Sequence, residues 1–125
     1  MVLAAIAGQN VVATRRGYER IIRIYAEQCF RARRRASVSE LAARLGENRP
    51  AVSRRVIQLF GKPLGELLRD LQFAYAIQLL TTTPLPVAEV GRAAAFGDAT
   101  SFFRAFRKRY GMTPAEYRMN PPECK

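Results

Sequence analysis

Residues 101–118 read SFFRAFRKRYGMTPAEYR, and their pattern is the most informative in the chain. Four arginines and a lysine stand among aromatic residues at helical spacing, and the run breaks at Gly-Met-Thr-Pro before it resumes. At about 100° per residue, Phe102, Phe106 and Tyr110 gather on one side of a helix. Thr100, Ser101, Arg104 and Lys108 fall roughly opposite, with Arg107 beside them. The stretch therefore predicts a helix held by its rings that turns its cations outward. Gly111 ends it, and Thr113, Pro114 and Glu116 form a capping box for a last short helix.

Phe103 stands about 100° from Phe102, on the border between the two faces. An aromatic ring there has two readings. It lies back on the apolar stripe and covers a neighbouring helix, or it stays on the outward face to meet an apolar group of a partner. The amphipathic pattern favours the first, which expects a mostly buried ring.

The charge balance points the same way as the motif. Twenty-one Lys+Arg against ten Asp+Glu leave +11 on 125 residues, and eighteen of the positive side chains are arginine. That excess favours a polyanionic partner, and the planar guanidinium fork suits phosphates and guanine edges. The length suits one compact domain, or two very small ones that share an element. Two remote cysteines, Cys29 and Cys124, and no histidine exclude most zinc-ligand sets and any His-dependent triad. No cofactor or metal is expected. Cys29 reads as a free, buried thiol in a cytoplasmic protein, with a disulfide left open. The opening MVLAAIAGQN makes a poor signal peptide and is too short to span a membrane.

Outward from the opening stretch, helical periodicity runs through the chain. Residues 1–17 read as an N-terminal arm. From Tyr18, Ile21, Ile22, Tyr25 and Cys29 form an apolar stripe that the basic run Arg31, Arg33, Arg34, Arg35 terminates. Ser37 and Glu40 have the spacing of a capping box for a helix carrying Leu41, Ala42 and Leu45. After Gly46, Asn48 is an N-cap, Pro50 lies within the first turn, and Val52, Val56, Leu59 and Phe60 share a face. Residues 65–80 predict a longer helix apolar on two faces, which is the pattern of a sandwiched element.

The two halves repeat. ELAARLG at 40–46 matches EVGRAAA at 89–95, and VSRRV at 52–56 matches FFRAF at 102–106. The offset is 49 from Glu40 to Glu89 and 50 from Val52 to Phe102, so the second turn is one residue longer. Val52 and Val56 point inward, while Pro50, Arg54 and Gln58 point away beside Arg49. A single charged helix face is ordinarily just solvated. Two related copies that each place an arginine two residues after the first core residue argue for a groove instead. A membrane-surface helix would want a wider bulky apolar face.

These residues resemble the AraC/XylS-type bacterial transcription regulators over about Tyr18 to Arg118. AAFGDATSFFRAFRKRYGMTPAEYR is similar to that family's C-terminal signature almost position for position, and SVSELAARLGENRPAVSRRV resembles its first helix–turn–helix. The resemblance implies an all-α fold of about seven helices. A first helix–turn–helix unit (18–62), a linker helix (63–80), a second unit (81–118) and a C-terminal tail (119–125) follow the arm. It carries contact roles onto Pro50, Ser53 and Arg54, and onto Thr100, Ser101, Phe103 and Arg104; where the family has a small polar residue next to the DNA, an outward Phe103 would meet a thymine methyl group in the major groove. It further implies two recognition helices in successive major-groove segments of double-stranded DNA, monomeric binding to one bipartite site, and contact with RNA polymerase.

Departures from the family pattern are specific. Pro63 and Pro86 stand where serine caps are usual, Ala95 replaces a glycine, and Gly91 replaces an alanine. Ile57 and Leu59 stand where charged residues are usual, which leaves apolar surface beside the first reading helix. Seventeen leading residues cannot form an effector domain, so the likeness is to small single-domain members or to a truncated product. Some DNA-repair proteins append a zinc–cysteine methyl-acceptor module to such a domain, but two cysteines cannot supply its four ligands. The expected function is therefore sequence-specific regulation of transcription and not catalysis. The alternative is a non-specific architectural DNA binder, which needs the charge but not the paired helices.

Overall fold

The computed structural model describes residues 15–122. Among them lie seven helices and no strand: α1 (Arg15–Arg31), α2 (Val38–Leu45), α3 (Arg49–Phe60), α4 (Leu64–Thr82), α5 (Val87–Ala93), α6 (Ala99–Tyr110) and α7 (Pro114–Met119). Helix α1 begins inside the stretch read as an arm, because Arg15, Arg16 and Gly17 form its first turn. The remainder of the arm and Cys124 lie outside the described residues. Cys29 is a buried free thiol.

The described residues divide into two compact units, residues 15–28 with 36–71 and residues 29–35 with 72–122, so α1 and α4 each supply residues to both. Tyr18, Ile22, Tyr25, Leu41, Val52, Val56, Leu64 and Leu68 are buried in the first. Phe73, Ala76, Leu80, Val90, Ala94, Phe102 and Phe106 form the core of the second. The two apolar lines of α4 thus begin differently: Leu64 and Leu68 serve the first unit, and Phe73, Ala76 and Leu80 serve the second.

Each unit is built from the same stop-and-start signals. Helix α2 ends on Gly46 at φ 72°, where the N–H of Gly46 reaches the Ala43 carbonyl and that of Glu47 reaches Ala42, both at 3.0 Å. This is a Schellman stop, which needs a left-handed residue and therefore favours glycine. Asn48 then caps α3 by accepting the Ala51 N–H at 2.8 Å. In the second unit Ala95 takes the place of Gly46, at φ 67°, with its N–H to Arg92 at 3.0 Å and that of Phe96 to Gly91 at 2.9 Å. Asp98 caps α6 by accepting the Ser101 N–H at 2.7 Å.

The additional residue of the second turn now has a purpose. Phe96 folds inward, with ring centroids 5.0 Å from Phe73 and 4.9 Å from Phe102, and Gly97 at φ 90° returns the chain to the cap. Correspondence between the halves extends further than the quoted motifs. Gly61 and Gly111 both end their helices by donating to the carbonyl four residues back, at 2.8 Å.

One expected cap differs in detail. Ser37 accepts the Glu40 N–H at 3.2 Å, and the Ser37 N–H goes to the Tyr25 hydroxyl. The Tyr25 hydroxyl stands between them, accepting the Ser37 N–H at 2.9 Å and donating to Glu40 Oε1 at 2.6 Å. The capping box is relayed through a core tyrosine, which ties α2 to α1. Pro86 gives α5 no side-chain cap. At α7 the capping box is complete, with Thr113 Oγ1 accepting from Glu116 N at 3.1 Å and Glu116 Oε1 from Thr113 N at 2.9 Å.

Positions 91 and 95 are coupled by size. A Cβ added at Gly91 would lie 2.8 Å from Cβ, Cγ and Cδ2 of Phe102, the fixed base of a buried ring. The bulk absent at position 91 is thus occupied by Phe102. Ala95, by contrast, holds a conformation that costs an L-residue about 1–2 kcal/mol. Gln72 Nε2 pins that turn by donating to the Ala94 and Ala95 carbonyls, each at 3.0 Å.

Restoring the family residues at these two sites should have opposite effects in thermal melts. Ala95→Gly relieves the left-handed strain, and after the entropy of a new glycine should stabilise by about 0.5–1 kcal/mol. Gly91→Ala should destabilise by about 1–3 kcal/mol through overpacking. Thr113→Ala should cost about 1 kcal/mol of stability while leaving DNA specificity unchanged. A Thr113→Ala protein that melts normally but has lost DNA binding would show Thr113 to be a contact residue.

Candidate nucleic-acid interface

The inward faces of α3 and α6 are anchored by matching pairs. Val52 and Val56 are fully buried on the first helix, and Phe102 and Phe106 on the second. Each of these rings is worth about 1.5–3 kcal/mol of burial, so the rotation of α6 about its axis is strongly held. Phe106 is ringed by Phe102 at 5.7 Å, Tyr110 at 4.6 Å and Tyr117 at 5.4 Å.

That anchoring determines which side chains look out. Arg49, Pro50, Arg54 and Gln58 are exposed on α3, while Ser53 is half-buried. On α6, Thr100, Ser101, Phe103, Arg104, Arg107 and Lys108 are exposed. The structure thus places four of five candidates on the surface of the first unit and all six on that of the second. Phe103 departs from the expectation that the stripe would bury it. The residue is 39% exposed, and its ring lies 6.0 Å from that of Phe102.

The cations of these helices fall into two sets. The Arg55 guanidinium lies 6.0 Å from the Tyr18 ring centroid, and that of Arg109 lies 4.7 Å from Phe73 and 5.7 Å from Tyr110. Both cover the scaffold's own aromatics. Among the described residues, the side chains of Arg49, Arg54, Arg104, Arg107 and Lys108 have no hydrogen bond, ion pair or ring contact within the chain. Arg16, Arg20, Arg31 and Arg35 are likewise unpartnered, but they lie outside the two helices. Many other cations are engaged. Arg33 and Arg92 share Glu89 at 3.4 and 2.8 Å, Arg23 pairs with Glu19 at 3.2 Å, and Lys62 with Asp70 at 2.9 Å.

Local electrostatics reinforce the helix starts. Asp98 is exposed, and the backbone N–H of Ser101 holds its carboxyl below the usual range, with the Arg104 charge contributing. Because this shift is downward, its contribution to stability is present above the ordinary carboxylate value. It is lost only as pH falls through the depressed one. At neutral pH the α6 cap is charged and intact. Burial pushes the Tyr18 phenol up, with Glu47 adding to the shift and Arg55 opposing it.

Sequence periodicity missed three parts of this arrangement. Asp98 carries the same cap as Asn48, and its three-residue spacing to Ser101 was the available signal. The roles of Arg55 and Arg109 had little local signal, because Tyr18 and Phe73, the rings they cover, come from other helices, and only Tyr110 beside Arg109 is local. Gln72 spans more than twenty residues to reach the turn it pins.

What the arrangement offers is two exposed helix faces with unpaired cations and small polar side chains. Among the described residues, no group of His, Cys, Asp and Glu could hold a metal ion. No helix among them is long and apolar enough to cross a membrane.

Comparison with known proteins agrees with this geometry. Residues 41–120 match a family model described as a helix-turn-helix domain. The chain is similar to the ornithine utilization regulator of Pseudomonas aeruginosa, 40% identical over 68 residues, which are 54% of this chain and 20% of that protein. It is also similar to the arabinose operon regulatory protein of Escherichia coli, 38% identical over 68 residues, 51% of this chain and 23% of that one. The matches thus span about a fifth to a quarter of the length of these curated relatives. Among solved structures, the DNA-binding domain of AdpA, a global transcriptional factor determined in complex with a target DNA, superposes with a TM-score of 0.70. It is 27% identical, and the match covers 81% of this chain and 88% of that one. Two units with matching turns and caps, and a family match over residues 41–120, make this chain a member of the AraC-type helix-turn-helix family of DNA-binding transcription regulators.

Proposed function

We propose that the chain reads one bipartite DNA site by placing α3 and α6 in successive major-groove segments, which lie about 34 Å apart when read from one face of the duplex. The observation that carries this reading is the sorting of arginines on the two helices. Among the described residues, Arg54 and Arg104, at matching positions, make no hydrogen bond, ion pair or ring contact, while Arg55 and Arg109 are stacked on the scaffold's rings. Arg54 and Arg104 supply bidentate forks for guanine O6 and N7. Arg49, Arg107 and Lys108 meet phosphates, and Pro50, Ser53, Gln58, Thr100 and Ser101 line the contact. Two reading helices in one chain support binding as a monomer. Contact with RNA polymerase belongs to the same reading, as the family resemblance implies, and a DNA target implies a cytoplasmic location.

Selection of bound fragments from random DNA tests the proposal. Recovery of a two-part motif is the expected result. Fragments without a shared motif would reduce the chain to an architectural binder. With about six phosphate contacts, log K should fall against log salt with a slope of about −5. A flat titration would remove the electrostatic basis.

Substitutions on α6 should separate reading from scaffold. Arg104→Ala should cost about 1–3 kcal/mol of specific binding and relax discrimination at one or two bases, with an unchanged melting temperature. Arg107→Ala should weaken all sequences evenly. Arg109→Ala should instead lower stability by about 0.5–1 kcal/mol, the worth of an exposed cation–π contact. Equal loss of specific and random-DNA affinity in Arg104→Ala would make Arg104 a phosphate clamp.

A further inference from the structure

Four large apolar side chains are exposed among the described residues, namely Ile24, Ile57, Phe103 and Met119, and their positions differ in what they can meet. Ile24 lies on α1 and Met119 at the end of α7. Ile57 is on α3 but three residues beyond Arg54, toward the helix C-terminus. Phe103 alone lies in the first half of one of the two cation-bearing helices, immediately before Arg104 and one turn before Arg107. The N-terminal part of a recognition helix is the part that reaches base edges.

The scaffold leaves more than a third of this residue uncovered. Its neighbour Phe102 is fully buried, with Phe96 at 4.9 Å and Phe106 at 5.7 Å. Among the described rings, Phe103 pairs with that of Phe102 at 6.0 Å, and the residue keeps 39% of its surface in water. At the matching position of the first copy stands Ser53, small and polar. An exposed phenylalanine among unpaired cations gains nothing from a phosphate, because it has no donor to offer. It does gain from an apolar group at the same depth as the guanine edge. In the major groove that group is the 5-methyl of thymine.

We propose that Phe103 is a specificity-determining residue whose ring covers a thymine 5-methyl group beside the base pair contacted by Arg104. The inference rests on the DNA reading proposed above, and its test separates the two. The selected site is synthesised with each thymine replaced in turn by uracil, a change that removes only the methyl group. One replacement, next to the base pair at which Arg104→Ala relaxes discrimination, should weaken binding about fourfold, the worth of one methyl-sized group.

Phe103→Ser should bind the thymine and uracil forms of that position equally, and Phe103→Leu should keep a penalty. Phe103→Gln, which retains length and helix propensity, gives the same readout as serine should the serine variant fail to fold. A motif without thymine there, no uracil penalty in the native chain, or a penalty that persists in Phe103→Ser or Phe103→Gln would overturn the inference and leave the DNA reading standing. Recovery of no motif at all would overturn the DNA reading and this inference with it.

Discussion

The second unit depends on one contact, the seating of Phe102 where a side chain at position 91 would begin. An added Cβ at Gly91 would stand 2.8 Å from three atoms of that residue. With the base of the ring held so closely against α5, helix α6 has little freedom to rotate. Phe106 and Tyr110 then follow along the same stripe, and Phe73 and Phe96 close over it. The outward direction of Arg104, Arg107 and Lys108 is a consequence of this packing. Rigidity of that kind matters in a reading helix, because a guanidinium fork discriminates between bases only when its approach is set in advance.

The two units reach one design by different means. The first stops α2 with a glycine and anchors α3 with two valines. The second stops α5 with a strained alanine, holds that turn through Gln72, and anchors α6 with phenylalanines. Larger side chains in the second core fit the longer turn, since Phe96 fills it from within. The cost of a left-handed alanine is offset by two hydrogen bonds to the carbonyls around it. Equivalent backbone signals, a left-handed stop followed by a side-chain cap, keep the geometry of the two turns alike despite their different cores.

Positive charge has two roles in this chain, and position along a helix separates them. Arg55 and Arg109 fall on flanks where aromatic rings lie within reach, so they cover the core. Arg54 and Arg104 precede them at matching positions, on exposed faces where neither makes a hydrogen bond, ion pair or ring contact among the described residues. An arginine-rich sequence thereby supplies both a lid for aromatic cores and an open face for a polyanion. The net charge of +11 belongs to the whole chain, but the unpaired part on α3 and α6 is what a DNA groove would meet.

Much of this was legible in the sequence, because helix signals are local. Ser37, Asn48, Thr113 and the glycines at 46, 61 and 111 mark starts and stops within a few residues of where they act, and a period of 3.6 separates Phe102 and Phe106 from Arg104 and Lys108. The repeat between the halves was legible for the same reason. Tertiary structure alone decided what depends on neighbours distant in the chain. It inserted the Tyr25 hydroxyl between Ser37 and Glu40, brought Gln72 to the Ala95 turn, and assigned Arg55 and Arg109 to rings from other helices. It also left Phe103 exposed, where amphipathic phase pointed to a buried ring. A residue on the border of two faces is buried only if another element covers it, and helical periodicity carries no information about that cover.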